Sequence, residues 1–489
     1  MSQTAAHAYP QNFVEHLRRL ASERADDVAL IVAREQGREA VDIAISYGEL
    51  DLRVRSLAAR LQARFGTGER ALLLLDNDEH YAVAFLACLY AGLTAVPVFP
   101  PESARPQHLA RLRGIALDAG AACVLTTEAV QSAMGLLQGV AETQTVTVDD
   151  IDTHDAHLWR EHFPADEDIA FLQYTSGSTA TPKGVMISHA NLMANERGME
   201  ETLGLRADDV FASWLPLYHD MGLIGGLLQP IHRGAPLILM RPDFFLARPA
   251  RWLEAITRHK VTVSGGTDFA YRLCAERIKD AQIASLNLSR WRIAYTGAEP
   301  VRHDTLAAFS ARFAGVGFDI SAFHPCYGLA EATLFITGGR PEKQLAVGHF
   351  SAEGLAQNQA IEDEKGVALV GCGRIAAGNL VRIVDPATQR EVSERRIGEI
   401  WASGPSVTSG YWNNAEATKK ALARHANRVW LRTGDLGFLR DGQLYVTGRS
   451  KDLIIVRGHN IYPQDIEYAI ENGIEAVRPG RVAAFAVEG

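Results

Sequence analysis

Tyr174-Thr175-Ser176-Gly177-Ser178-Thr179-Ala180-Thr181-Pro182-Lys183-Gly184 packs five Ser/Thr hydroxyls, two glycines and one lysine into one turn-rich stretch. It follows the apolar run 169–172, which suits a buried strand, and a helix start is expected near Ser188. Glycine lets backbone N–H groups come close to an anion, and such a nest of donors binds phosphate. The hydroxyls add donors, and Lys183 adds a point charge for a phosphate oxygen. A solvated Ser/Thr/Gly loop is the plainer alternative, but the strand before it and the Pro-Lys-Gly that pins the lysine favour a phosphate site. The P-loop pattern G-x-x-x-x-G-K-[ST] fails here, because Gly177 is followed at the matching places by Pro182, Lys183 and Gly184. The hydrolase elbow G-x-S-x-G fails around Ser176 and Ser178.

Outward from this loop, the chain has the composition of a globular protein with room for a large core and several subdomains. A net charge of −9 argues against nucleic-acid binding by charge. Five cysteines are scattered with no C-x-x-C pair, which argues against a zinc site or a disulfide framework and suits the cytoplasm. The N-terminus lacks a signal-peptide pattern. Residues 82–99 are nearly all apolar, but Gly92 and Pro97 divide them, so they read as a buried helix to about Ala91 and a buried strand 95–99 rather than a membrane span.

In chain order, 46–65 reads as a helix with capping-box spacing at Ser46 and Glu49 and Gly66 at its C-terminal end. Strands at 71–75, 95–99, 122–125, 210–214, 237–240, 261–264, 293–295 and 322–326 alternate with helical stretches. That alternation predicts parallel sheets covered on both faces. Ligands in open α/β sheets sit at turns beyond strand C-terminal ends. Here those turns are Pro216–Gly222 with His219, Gly265-Gly266 before Phe269, Gly297-Ala298-Glu299-Pro300, and Tyr327-Gly328-Leu329-Ala330-Glu331. From about Leu380 the pattern changes to short strands with Gly/Asp turns, which predicts a small antiparallel β subdomain.

Singly, these residues have bland readings. Glu331 could hold magnesium, a cation that prefers hard oxygen ligands shared with phosphates, or could answer a helix dipole. Asp435 could accept from ribose hydroxyls or simply hold a turn. His219 could be a core-edge histidine satisfied by Asp220, and Arg449 and Lys451 could be solvated charges.

Their order, however, resembles that of the adenylate-forming superfamily (acyl-CoA synthetases, peptide-synthetase adenylation domains, luciferases) over nearly the whole chain. Within it the chain looks most like the fatty acyl-AMP ligases, on 169–174, 214–223, 326–333, 451–456 and 462–467. The resemblance implies an α/β fold: a large N-terminal domain of two doubly wound subdomains with a small β subdomain, followed by the start of a mobile α+β C-terminal domain. The expected boundaries are 1–170, 171–378 with the phosphate loop and an insertion at 338–372, 379–448 and 449–489. The resemblance also implies residue roles. Thr175, Ser176, Gly177, Ser178, Thr179 and Lys183 embrace the ATP phosphates, and Thr175 and Glu331 serve Mg²⁺. His219 stands between acyl group and nucleotide. Gly297, Ala298, Glu299 and Pro300 flank adenine, with Tyr327 and Gly328 near the base. Asp435 binds ribose, Arg449 contacts ribose or phosphate, and Lys451 is the hinge. Trp214, Gly265, Gly266 and Phe269 are expected to wall the acyl pocket, the glycines leaving space for a chain.

The insertion 338–372 is the mark of the ligases, in which it disfavours the arrangement that lets coenzyme A react; a length-variable surface loop is the alternative. The chain stops at Gly489, short of a full small domain and of the family's late catalytic lysine. A truncated chain, or one module of a larger synthase, is therefore expected, with 453–489 unable to bury a full core. The expected activity is ATP- and Mg²⁺-dependent conversion of a medium- or long-chain fatty acid to acyl-AMP, then transfer to an acyl carrier protein. A long-chain acyl-CoA synthetase is one alternative. A non-catalytic nucleotide-binding module is another. An aminoacyl-tRNA synthetase is disfavoured by the absence of a His-Ile-Gly-His-like motif and of a basic face.

Overall fold

The computed structural model describes residues 12–36, 39–99, 106–134, 143–175, 182–339, 345–425, 427–456, 459–474, 476–477 and 482–485. Ser176, Gly177, Ser178 and Thr179 of the expected phosphate loop lie outside these. The chain forms two compact units, one from Met1–Arg197, Arg206–Ala247 and Thr408–Thr418, the other from Gly198–Leu205, Arg248–Val407 and Lys419–Gly489.

In the first unit one sheet runs in the order Gln144–Thr147, Ala121–Thr126, Arg70–Leu73, Thr94–Pro97, Ile169–Thr175 and Lys183–Ser188. All its pairings are parallel except the last. Leu72, Leu74, Val96, Val124 and Leu172 bury one face of this sheet against Leu109, Leu112 and Ile115 of the helix Pro106–Ala119. The apolar stretch 82–99 divides as its sequence indicates. The helix Glu79–Ala91 ends at Gly92, whose φ of +73° supplies the left-handed cap, and Thr94–Pro97 is a buried strand. Among the described residues no helix is long and apolar enough to cross a membrane. A second group of strands runs in the order Phe211–Ser213, Leu237–Leu239, Val28–Gln36 and Glu39–Ser46, the last two as an antiparallel hairpin.

Two local expectations change. Ser46 does accept from Glu49 N–H, but the helix Tyr47–Gln62 ends at Ala63 in right-handed geometry, before Gly66. Gly66 N–H instead donates to Glu69 Oε2 at 2.8 Å, closing a turn of its own. The stretch before Ser188 is a strand, Lys183–Ser188, rather than loop. Val185 and Ile187 point inward on its period-2 pattern and are fully buried.

In the second unit Val263–Gly266, Ile293–Thr296 and Phe323–Pro325 pair in parallel. Trp252, Tyr271, Trp291, Phe309 and Phe318 pack edge-to-face and tilted beside them. The expected antiparallel subdomain contains Leu380–Val384, Gly398–Ser403, Leu422–His425, Arg428–Arg440 and Gln443–Arg449 around Ile383, Ile400, Leu431 and Leu444. The stretch expected as an insertion contains a hairpin, Val347–Phe350 with Val367–Val370, enclosing the helix Ala352–Ala356. Phe350, Leu355 and Ala360 share an apolar cluster with Phe438, Tyr445 and Tyr462, and Asn460 Nδ2 donates to Asn358 Oδ1 at 2.9 Å. Ile454–Val456 pairs with His459–Ile461, and the helix Pro463–Gly473 follows.

A buried carboxylate ties two helices of this unit. Asp268, at the start of Asp268–Arg277, accepts from Arg302 N–H at 2.9 Å and from Thr305 Oγ1 at 2.8 Å, at the head of His303–Phe313. Burial pushes its pKa from 3.8 up to about 6, against those two donors, and Glu299 adds to the rise.

Gly184 faces Tyr174 across the first unit's hairpin, and a Cβ there would stand 2.9 Å from the ring, whose hydroxyl is tied to Asp118 Oδ2 at 2.6 Å. Gly184→Ala should therefore cost about 1–3 kcal/mol in urea unfolding; an unchanged midpoint would show that the ring swings aside freely. For Asp268 the sign follows from its raised pKa. The folded state holds the proton more tightly than the unfolded chain. Its contribution to stability is thus fully present below about pH 4 and is lost as pH rises through about 6, by roughly 3 kcal/mol. In Asp268→Asn the variant-minus-wild-type difference in unfolding free energy should climb between pH 4 and 6 and stay flat above 7. Parallel pH profiles for the two proteins would refute this.

Candidate functional site

The first unit presents three of the expected groups on rigid elements. Thr175 and Lys183 face each other in the hairpin register, so the backbone on both sides of the phosphate stretch is fixed by the ladder. Lys183 Nζ lies 5.4 Å from the centroid of the Tyr411 ring. The loop 214–219 is held by side chains from three other elements. Asn77 donates to Leu215 O at 3.0 Å and to Met240 O at 3.1 Å, and accepts from Leu217 N–H at 2.7 Å. Tyr81 OH donates to Leu217 O at 2.9 Å, and Gln173 Nε2 donates to Tyr218 O at 2.9 Å. Buried backbone polar groups need such partners, and meeting them fixes the loop.

His219 at its end keeps part of its ring open to solvent and tilts against Tyr218 at 4.8 Å. The protein packed around it, and secondarily the Arg111 charge, lower its pKa, so the imidazole is neutral at pH 7. Asp220 accepts from Met221 N–H at 2.7 Å at the head of the wide helical turn Met221–Leu228. Trp214 is buried and stacks on Phe245, with centroids 4.0 Å apart.

In the second unit, Gly265 and Gly266 end a strand, in register with Tyr295 and Thr296. The expectation that Gly265 leaves space for a chain is corrected: its missing Cβ is replaced by close approach of Tyr295, carbonyl and ring together. The next turn, Gly297 to Pro300, is similarly tight. A Cβ on Gly297 would meet Cys326 O at 2.8 Å, and Ala298 takes a φ of +66°. Glu299 turns back to accept from Phe269 N–H at 2.6 Å, linking the 297–300 turn to the helix that carries Phe269. The Phe269 side chain is exposed.

Tyr327 OH donates to Asp435 Oδ2 at 2.7 Å, and Arg449 Nε lies 3.4 Å from Asp435 Oδ1 in the adjacent strand. Burial raises the Asp435 pKa; Tyr327 and Arg449 oppose that, and Glu331 and Asp452 reinforce it. Glu331 is thus close enough to Asp435 to be felt. Gly328 is required where it stands, because a Cβ would overlap Leu334 O. Lys451 is exposed, in the turn after Arg449. The described residues thus bring Tyr327, Glu331, Asp435 and Arg449 together, and Thr175 with Lys183.

Sequence reasoning missed several supporting residues. Thr333, just past Glu331, is fully buried at φ +68° and ψ −62°, with Leu334 N–H donating to Ala332 O at 2.8 Å. A β-branched residue in this tight three-residue turn is strained. Its hydroxyl donates to Ser406 O at 2.7 Å, which holds it there. Asn77, Tyr81 and Tyr411 were also missed. The lone buried-type asparagine before the apolar helix was the available signal for Asn77, and Gly410-Tyr411-Trp412 that for Tyr411.

The family described as AMP-binding enzyme matches residues 17–412. A medium-chain-fatty-acid–acyl-carrier-protein ligase of Moorena producens, JamA, is 42% identical, over 91% of this chain and 78% of its own length. The long-chain-fatty-acid–AMP ligase FadD32 of Mycolicibacterium smegmatis is 35% identical, over 97% of this chain and 80% of its own. A fatty acyl-adenylate ligase from L. pneumophila, solved with acyl adenylate and pyrophosphate, superposes with a TM-score of 0.86 at 37% identity, covering 98% of this chain and 84% of that one. On sequence, fold and the order of its turns, this chain belongs to the AMP-binding enzymes and, among them, to the fatty acyl-AMP ligases.

Proposed function

We propose that this protein activates a medium- or long-chain fatty acid with ATP, releasing pyrophosphate, and passes the acyl group from acyl-AMP to the phosphopantetheine thiol of an acyl carrier protein. The observation that carries this reading is near full-length likeness to a carrier-protein ligase and to a fatty acyl-AMP ligase. The protein would work in the cytoplasm, as a monomer or as a module of a larger synthase in lipid, lipopeptide or polyketide biosynthesis.

The acid's carboxylate attacks the α-phosphorus in line. Two anions must meet, so catalysis rests on positioning and on charge stabilisation. Lys183 and the backbone N–H groups of 175–179 stabilise charge growing on the leaving pyrophosphate. Tyr327 and Gly297–Pro300 seat the base, and Asp435, already oriented by Tyr327, accepts from ribose hydroxyls. Arg449 adds a contact to ribose or phosphate, and Lys451 marks the hinge. Trp214 of the first unit and Gly265, Gly266 and Phe269 of the second are the residues proposed to serve the acyl chain, with Tyr295 filling the place beside Gly265. His219, neutral at pH 7, can stand beside both carboxylate and phosphate without fixing either as an ion pair.

Mg²⁺ is the ion proposed here, because a carboxylate and a hydroxyl are the hard oxygen donors it takes. Among the described residues no cluster of three or more His, Cys, Asp or Glu could hold a metal ion. A magnesium ion that takes one carboxylate, one hydroxyl and the substrate's phosphates, and keeps its waters, needs no such cluster. Glu331 and Thr175 would supply those protein oxygens. When bound, the ion would neutralise phosphate charge.

Products are to be analysed by mass spectrometry after incubation with mixed fatty acids, ATP and Mg²⁺, with and without coenzyme A. Acyl-AMP should persist in the presence of coenzyme A, and the chain lengths consumed size the pocket. Abundant acyl-CoA would make this a synthetase, and nucleotide binding without any acyl product would make it a binding module. Lys183→Ala and Glu331→Ala should each lower acyl-AMP formation at least about 100-fold. Near wild-type rates in both would sink the site assignment.

A further inference from the structure

Lys183 must stay fully charged and available when ATP arrives, although an isolated ammonium on a strand usually finds a carboxylate. Among the described residues no carboxylate lies within ion-pair distance of it. What lies beside it is the Tyr411 ring, 5.4 Å from Nζ to centroid. That is within the range at which a ring's negative face attracts a cation.

The ring is placed there by a strap from far along the chain. Met186 N–H donates to Gly410 O at 3.0 Å, Trp412 N–H donates to Gly184 O at 2.7 Å, and Val185 and Tyr411 form an antiparallel bridge. Thr408 Oγ1 donates to Met186 O at 2.6 Å. Gly410 takes a φ of +143°, with no room for a Cβ against Thr418. Tyr411 N–H is fixed by Thr418 Oγ1 at 2.9 Å. Successive side chains of an extended segment point opposite ways, and the next ring, Trp412, takes the Arg70 guanidinium at 5.4 Å.

We propose that Tyr411 is a positioning residue for nucleotide binding: its ring holds the Lys183 ammonium by cation–π attraction, without neutralising it, in the place where it meets a phosphate oxygen, and stays against it when the phosphate is bound. A carboxylate in that place would hold the lysine more strongly and compete with the phosphate. The ring fixes the ammonium yet leaves its charge and its donors to the phosphate. The proposal rests on the reading that Lys183 meets the ATP phosphates.

The test is steady-state acyl-AMP formation by the full chain with a medium-chain fatty acid, with thermal melting recorded alongside. Tyr411→Phe keeps the ring and should stay within about twofold of wild type. Tyr411→Leu should raise KM for ATP about tenfold, with kcat and melting temperature little changed. Should the leucine variant fail to fold, a series of fluorinated phenylalanines at 411 keeps the shape while draining the ring face. There log kcat/KM should fall in step with cation–π strength. Equal losses in the phenylalanine and leucine variants, no loss in either, or no trend across the fluorinated series would overturn the proposal. In the Lys183→Ala background Tyr411→Leu should add no further loss. Lys183→Ala that keeps wild-type activity would overturn the phosphate reading itself, an outcome separable from failure of the ring.

Discussion

The antiparallel pairing of Ile169–Thr175 with Lys183–Ser188 is the constraint on which the placing of Thr175 and Lys183 depends. It sets Thr175 opposite Lys183, so the stretch proposed to bind phosphate begins and ends on a ladder. Lys183–Ser188 is also the outermost strand of its sheet, and such edges invite unwanted pairing. The 408–412 strap covers this one. The same hydrogen bonds that close the edge deliver the aromatic ring to the lysine, so a folding need and a functional need are met by one segment.

The second unit solves a different problem, which is to hold several short turns at strand ends in fixed geometry. It does so by close backbone approach and by strain. Gly297 and Gly328 exist as glycine because Cys326 and Leu334 occupy the space a side chain would need. Thr333 is held at positive φ by its bond to Ser406 O, which pins the turn that carries Glu331. Strain of this kind persists only when its surroundings over-determine it, and the buried Thr333 hydroxyl bond is part of that over-determination. Glu299 carries the constraint further by capping the helix that begins at Asp268. A shift in the 297–300 turn would therefore be felt at Phe269.

Much of this was legible in the sequence, and the reason is period. Long buried strands and helices write their pattern directly, as with the 82–99 stretch that Gly92 divides. The turns at strand ends were found because their residue types are chemically unusual together. What the sequence hid were interactions at long separation and conformations against propensity. Nothing local tells that Asn77 will meet Leu215, Leu217 and Met240, or that Tyr411 will stand beside Lys183. Gly265 misled for the same reason: a glycine reads alike whether it leaves a vacancy or admits a neighbour, and here the neighbour is Tyr295. Lys183–Ser188 is short, and its glycine and serine read as loop until its partner strand is known.

The charges around the site follow one electrostatic logic. A reaction between a carboxylate and a polyphosphate needs positive charge that is present but uncommitted, on a chain whose net charge is −9. Arg449 is committed to Asp435, yet it is largely exposed and its partner stands 3.4 Å away, so solvent screens the pair and little energy is lost in exchanging it. Asp435 keeps lone pairs beyond those used by Tyr327 and Arg449. His219 is kept neutral by its surroundings and by Arg111, so it adds no fixed ion where two anions must approach. Lys183 lies against a ring instead of a carboxylate. In the proposed reaction neither cation would have to leave a buried ion pair to meet a phosphate.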